Sequence, residues 1–206
     1  MVLHQFVPHV PVFNLVSELP AFRPDLAAYL LPQLARDVPA ESLFLCVVDP
    51  GVGGNRSAVA ARVDGNWYVG PDNGLLAITV RRAAQADCWR VDWRPGRLSA
   101  SFHGRDLFAP VAAHIALDGQ VFGTLLAPGQ LVGSDWSDEC NKIVYRDVYG
   151  NLCSGIRAAA VDHGSMIRAG NHTVGFARTF CDVPAGTVFW YENAFGLIEL
   201  AVNQGR

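Results

Sequence analysis

The stretch CVVDPGVGGNRSAVAARVDGNWYVGPDNGLL, Cys46 to Leu76, decides how the chain is read. The apolar run Leu43–Val48 leads into it, short and β-branched enough to be a buried strand. That run stops at Asp49-Pro50-Gly51-Val52-Gly53-Gly54. Proline fixes one φ angle and removes a donor, and the glycines admit backbone angles that other residues avoid. A strand ending in a carboxylate and a glycine-rich loop is where open α/β sheets place ligands. Arg56 follows close enough for the loop to fold back and join the two charges. Two further strand-like runs, Ala58–Val63 and Trp67–Val69, flank the turn Asp64-Gly65-Asn66, a hairpin signal. A second punctuated loop, Gly70-Pro71-Asp72-Asn73-Gly74, closes the unit. Either loop alone is an ordinary turn sequence. Paired around a hairpin, with an arginine between them, they mark a candidate ligand site.

Moving outward, Val10–Val16 reads as a strand and Pro24–Arg36 as an amphipathic helix, with Leu26, Tyr29, Leu30 and Leu34 at helical spacing. With Leu43–Val48 these predict a parallel βαβ unit. Leu75–Ala84 reads as a helix and Cys88–Trp93 as a strand. In FHGRDLFAPVAAH, Phe102 to His114, Asp106 or a residue just before it is placed to cap a helix running to about Leu117. Pro110 sits where a first turn tolerates it. His103 lies in the loop before that helix, and His114 on the helix reads as a packing residue.

Residues 121–133, rich in glycine and containing Pro128, are taken as a linker. Beyond it come short strands: Lys142–Asp147, Leu152–Ile156, Met166–Arg168, His172–Phe180, Thr187–Glu192 and Leu197–Val202. Val148-Tyr149-Gly150-Asn151 forms the first hairpin between them. The expected architecture is an α/β N-terminal domain, 1–120, with a mainly parallel sheet, followed by a smaller antiparallel β domain, 134–206, a sandwich or barrel.

Composition narrows the partners. Of 206 residues, 50% are hydrophobic and 17% charged, which is ample material for a core. A net charge of −3 with no run of like charges argues against nucleic acid or an anionic membrane as partner. No apolar stretch approaches the roughly 18 residues that span a bilayer, and the opening residues do not read as a secretory leader. The five cysteines, Cys46, Cys88, Cys140, Cys153 and Cys181, are widely spaced without a CxxC. Free thiols in a cytoplasmic protein are expected, rather than a zinc site or disulfide framework. The hydrophobic excess hints at an oligomer.

DPGVGxxR, GPDNGLL, FHGRDLFAP, DVYGN and the tail ENAFGLIELAV occur in an order that resembles the S-adenosyl-L-methionine hydroxide adenosyltransferases. These are relatives of the adenosyl halogenases, and the resemblance covers nearly the whole chain. It implies an α/β N-terminal domain and a smaller β-barrel-like C-terminal domain. It also implies a homotrimer, with a nucleoside site between the N-domain of one subunit and the C-domain of its neighbour. The implied activity is hydrolysis of S-adenosylmethionine, as substrate rather than cofactor, to adenosine and L-methionine, with no cofactor and no metal. The family's Asp–Arg–His trio matches Asp49, Arg56 and His103. Among substrate contacts, Asp147 would pair with the methionine ammonium, Tyr149 would stack on adenine, Asn151 would bond the adenine edge, and Asn193 would lie near the methionine carboxylate.

The chemistry is coherent. C5′ of a sulfonium is already activated, and methionine leaves as a neutral thioether. What is missing is a nucleophile, since bulk water has a pKa of about 15.7. Arg56 could supply fixed charge and donors to an oxygen nucleophile. Asp49 or His103 could take or orient its proton, and the residue types leave open which does so. In halogenating relatives an aromatic residue tends to replace the aspartate and a serine stands at Gly104, so Asp49 and Gly104 disfavour halide. A metal-dependent hydrolase is disfavoured because the histidines lack ligand spacing.

Departures from the family pattern set up a competing reading. The TDFG strand and its ribose-clamping aspartate are expected to be missing, the chain starting in the helix that follows. The tail ends early, and Ser154-Gly155 and Ala194-Phe195 replace the usual residues. A catalytically weak adenosine-binding or structural trimer is therefore the alternative to a hydrolase.

Overall fold

The computed structural model describes residues 2–205, and the chain divides into two compact units between Trp136 and Ser137. In the first unit, strands β1 (Leu43–Leu45), β2 (Ala58–Val63), β3 (Asn66–Pro71), β4 (Ala86–Val91) and β5 (Gly123–Leu126) form one sheet in the order β1-β3-β2-β4-β5. Only β1 and β3 run parallel; the other neighbours are antiparallel. The unit is α/β as expected, but its sheet is mixed rather than mainly parallel.

Two local causes account for this. Val10–Val16, expected as a strand, is irregular, with Phe13 84% exposed. Pro11 has no N–H for a ladder, and so no βαβ unit forms there. The β2–β3 hairpin, in contrast, is dictated by its turn. Val63 pairs with Asn66, leaving a two-residue loop in which Asp64 and Gly65 have φ of 48° and 90°. Positive φ at both central positions is the type I′ turn that matches strand twist.

Helices cover both faces of the sheet. Strand β2 alternates: Val59, Ala61 and Val63 pack with Ala27 and Leu31 of α2 (Pro24–Ala35) and Val80 of α3 (Ala77–Arg81), α1 being the short helix Val2–Phe6. Ala58 and Ala60 face Val111, Ala112 and Ile115 of α4 (Ala109–Asp118). Fully burying a Val or Ile contributes roughly 1.5–3 kcal/mol, so a one-residue slip of β2, which exchanges the faces, is strongly disfavoured. Helix α2 begins at Pro24, where the missing N–H is harmless. Residues 121–133, expected as a linker, carry β5, which pairs with β4.

The second unit holds an antiparallel sheet of β6 (Cys140–Arg146), β7 (Leu152–Arg157), β10 (Val188–Glu192) and β11 (Leu197–Val202), in the order β10-β11-β7-β6. A separate hairpin joins β8 (Ile167–Ala169) and β9 (His172–Val174). The antiparallel β unit is as expected, but the sheet is open, without barrel closure among the described residues. Trp190, Ile198 and Val174 pack on one face, and Phe189, Ala201 and Ala177 on the other. Among the described residues no helix is long and apolar enough to cross a membrane.

Candidate functional site

Asp49, Arg56 and His103 meet in the first unit. Arg56 Nε donates to both Asp49 oxygens, at 2.9 and 3.1 Å, and its Nη2 donates to Oδ2. The same Nη2 lies 2.8 Å from His103 Nδ1. The Arg56 and Asp49 side chains are only 10% and 5% exposed, and His103 is buried. One guanidinium thus bridges a carboxylate and an imidazole.

The loops explain how. Cys46 N–H donates to Val69 O at 2.8 Å, extending the β1–β3 pairing to the loop's threshold. The second loop braces the first: Asn73 Nδ2 donates to Val48 O at 2.8 Å, next to Asp49. Gly53 has φ of 80°, and a Cβ there would stand 2.3 Å from Ala100 O. Only glycine lets the Asp49 loop close onto the segment that delivers His103. After His103 the chain makes a π-helical turn, Gly104–Phe108, which leads into α4. Phe108, fully buried, places its ring under the Arg56 guanidinium at 4.9 Å, a cation–π contact that fixes the fork. Asp106 does not cap a helix N-terminus; its carboxylate binds Arg105 and accepts from Ser99 N–H, which in that order lower its pKa to about 2.

These contacts fix the protonation of His103. A guanidinium has donors only, so Nδ1 must accept and the proton resides on Nε2. Burial, then the Arg56 charge, holds the His103 pKa below its usual value, in keeping with a neutral ring. Asp49 keeps a lone pair beyond those Arg56 occupies, since a carboxylate has about four. Cys46, nearby on the chain, is no nucleophile: burial pushes its thiol up to about 12. Arg56 and His103 line a cavity of about 330 Å³ with Gly53, Gly54 and Arg94, space for a small polar species, while Asp49 stands behind Arg56 and is not part of its wall.

In the second unit, Asp147, Tyr149 and Asn151 come together at the β6–β7 turn. Asp147 Oδ1 accepts from the N–H groups of Tyr149 and Asn151, at 2.9 and 2.8 Å, and Oδ2 accepts from Asn151 Nδ2 at 2.9 Å. These residues line a cavity of about 740 Å³ with Phe180, Tyr191 and Gln204. Asn193 does not line it. Its Oδ1 accepts from Phe195 and Leu197 N–H, and its Nδ2 donates to Glu199 and Cys153, which occupies all four of its hydrogen-bonding positions.

Sequence reasoning passed over Asn73 and Phe108, which hold the trio, and Phe180, Tyr191 and Glu199 in the second unit. Glu199 alone left a readable mark, as a carboxylate inside the apolar run Leu197–Val202.

Comparison with known proteins places these features in context. Residues 1–123 match the family model of the SAM hydroxide adenosyltransferase N-terminal domain, and residues 141–206 that of the C-terminal domain. The chain is similar to an (R)-S-adenosyl-L-methionine hydrolase of Thermus thermophilus, 37% identical over 99% of this chain and 85% of that protein. It is similar to another so named from Salinispora arenicola, 33% identical over 100% and 84%. Among solved structures, an uncharacterized conserved protein from Thermotoga maritima superposes with a TM-score of 0.86 at 27% identity, covering 99% of this chain and 85% of that one.

Proposed function

Since the chain belongs to the S-adenosyl-L-methionine hydroxide adenosyltransferase family, we propose that it hydrolyses S-adenosylmethionine to adenosine and L-methionine, with Asp49, Arg56 and His103 as the catalytic residues. The observation that carries this reading is the Arg56 guanidinium bridging Asp49 and His103 beside a small cavity. The relatives' names specify the (R) sulfonium, and we take that epimer as substrate.

A water in that cavity is oriented by His103 Nε2–H and by the positive field of Arg56. Its oxygen attacks C5′ from the side opposite sulfur. The C5′–O bond forms as the C5′–S bond breaks, and the electron pair returns to sulfur, giving neutral methionine. The proton passes through a further water, since Asp49 is not in the cavity wall, to the spare lone pair of Asp49 and then to solvent. His103 is a donor and not the base in this scheme, because its only ring lone pair is engaged by Arg56. Positioning carries much of the rate, up to about 7–11 kcal/mol for well-oriented groups. An arginine at the centre of the trio repels a metal cation, and the reaction we propose uses neither metal nor cofactor.

The substrate's adenosyl end is assigned to the cavity lined by Asp147, Tyr149 and Asn151, with the Tyr149 ring as a stacking face. Asp147 Oδ2 has a lone pair left for the methionine ammonium. We assign Asn193 to shaping the β10–β11 turn, because its amide is already satisfied. The proposal extends to a cytoplasmic homotrimer, supported by five free cysteines and the hydrophobic composition, and sedimentation of the purified protein tests the assembly.

The decisive experiment is incubation with S-adenosylmethionine and chromatography for adenosine and methionine. The parent should release both in equal amounts, and Asp49→Ala and Arg56→Ala should not. Adenosine binding without any turnover by the parent would refute hydrolysis in favour of a binding protein.

A further inference from the structure

Glu199 is buried, and among the described residues its partners are the neutral Tyr191 and Asn193 rather than a cation. It lies on β11, opposite Tyr191 of β10 and Cys153 of β7. Its Oε1 accepts from the Tyr191 hydroxyl, and its Oε2 accepts from Asn193 Nδ2 at 2.7 Å. A buried carboxylate without a counter-ion is destabilising unless its hydrogen bonds are made and kept. A methyl-bearing side chain would fill this strand position more stably. What the carboxylate adds is control over the Tyr191 hydroxyl, whose ring borders the cavity assigned to the adenosyl group.

We propose that Glu199 turns Tyr191 into a hydrogen-bond acceptor facing that cavity, and that Tyr191 thereby selects a 6-aminopurine nucleoside over a 6-oxopurine one. The inference rests on the adenosyl-substrate reading and deepens it. A phenol has one donor and two acceptor positions. Its donor is committed to Glu199, so only oxygen lone pairs remain for a ligand. Burial, then the bond to Glu199, holds the Tyr191 phenol well above its usual range, so it stays protonated in that role. Burial pushes the Cys153 thiol up to about 12, so it stays a thiol beside Glu199.

A second carboxylate, Asp147, does the same for another residue lining that cavity. Asp147 Oδ2 takes a donor of Asn151 Nδ2 at 2.9 Å, which fixes the amide so that its Oδ1 is left without a partner among the described residues. Two acceptors in a cavity that also carries the Phe180 and Tyr149 rings suit the exocyclic amine of adenine, which has two N–H donors. The 6-oxo group of hypoxanthine would set its own lone pairs against them, a mispairing that weakens binding by roughly tenfold or more.

The test uses the full chain and two probes, adenosine and inosine, titrated by calorimetry, with S-adenosylmethionine hydrolysis followed on the same preparations. The parent is expected to prefer adenosine by about tenfold or more. Tyr191→Phe should lose that preference by weakening adenosine and sparing inosine, which a merely structural defect, weakening both, would not do. Glu199→Gln should narrow the preference too, because an amide can donate to Tyr191 and release its proton toward the ligand. Equal affinities in the parent, or an unchanged ratio in Tyr191→Phe, overturn the inference. Should either substitution prevent folding, the parent's own ratio and the remaining variant decide. Equal nucleoside affinities with hydrolysis intact refute only the role of Tyr191, whereas absence of hydrolysis in the parent refutes the functional reading.

Discussion

Replacing Arg56 by lysine separates its charge from its geometry. Arg56 makes three donor contacts to Asp49 and one to His103, from Nε and Nη2 alone. A lysine ammonium at this site keeps a positive charge near Asp49 but is a point, with no planar fork to span carboxylate and imidazole together. Arg56→Met goes further and leaves Asp49, 5% exposed, as a buried anion without a partner. Breaking a buried pair in that way costs about 3–5 kcal/mol, or a fall in Tm of roughly 6–20 °C for a chain of this size. Arg56→Lys should lose less, about 1.5–3 kcal/mol, the worth of one charge-assisted hydrogen bond. Activity should order differently. Both variants lose the bridge, so kcat should fall at least ~10²–10³-fold in each, the effect of removing one aligned donor to a reacting oxygen. Urea unfolding and chromatographic turnover assays read the two quantities. If Arg56→Lys kept kcat within a few-fold of the parent, the bridging geometry would be irrelevant and the mechanism built on it wrong. If the Asp49→Asn and Arg56→Met losses of stability simply added in the double variant, the two groups would not act as a pair.

Three further outcomes follow from the same geometry. Because the folded-state pKa of His103 lies below the usual value of 6.5, the unfolded chain binds its proton first as pH falls. The stability that neutral His103 provides is therefore full above pH ~6.5 and is lost as pH drops from there toward the folded pKa; kcat/KM should decline on the acid side with an apparent pKa under ~6.5, and His103→Asn should remove that limb. Gly53→Ala forces a Cβ to 2.3 Å from Ala100 O at a φ of 80°, so it should destabilise by about 1–3 kcal/mol and lower kcat by shifting His103, seen in unfolding curves and turnover assays. Asp147→Asn weakens a carboxylate that accepts three hydrogen bonds within its own turn; KM should rise by roughly tenfold, about 1.4 kcal/mol of binding, with a smaller change in kcat.

Much of the fold was legible where backbone chemistry and pattern agree. Asp64-Gly65 specified its hairpin because only such residues accept two successive positive φ angles. The alternation of β2 specified two covered faces because each set of residues has a separate apolar cluster to join. What failed were elements whose identity lies in their partners. Val10–Val16 has a strand's composition but Pro11 in its midst and no ladder to complete. Strand β5 has Gly123 and an exposed Leu125, and is a strand only through its hydrogen bonds to β4. Parallel or antiparallel pairing of β1 is likewise decided by a neighbour far along the chain.

The trio shows the same division at the level of chemistry. Asp49 and Arg56 share one loop, so their meeting is nearly a local fact, readable from a proline-glycine turn between opposite charges. His103 arrives from the segment before α4, 47 residues along the chain, and nothing in its neighbours states that it will accept a hydrogen bond from Arg56. Residue types alone left the proton acceptor open between Asp49 and His103. The contact at His103 Nδ1 narrows the choice by a simple constraint: a nitrogen lone pair held by an arginine N–H is not available to a proton from water. The second unit repeats the pattern, since Glu199 and Asp147 each take the donor of a neighbour and leave its acceptor facing a cavity. In the second unit a carboxylate acts through the group it orients and in the first an arginine does, and the direction of each hydrogen bond, which no residue name reveals, fixes what that group can still do.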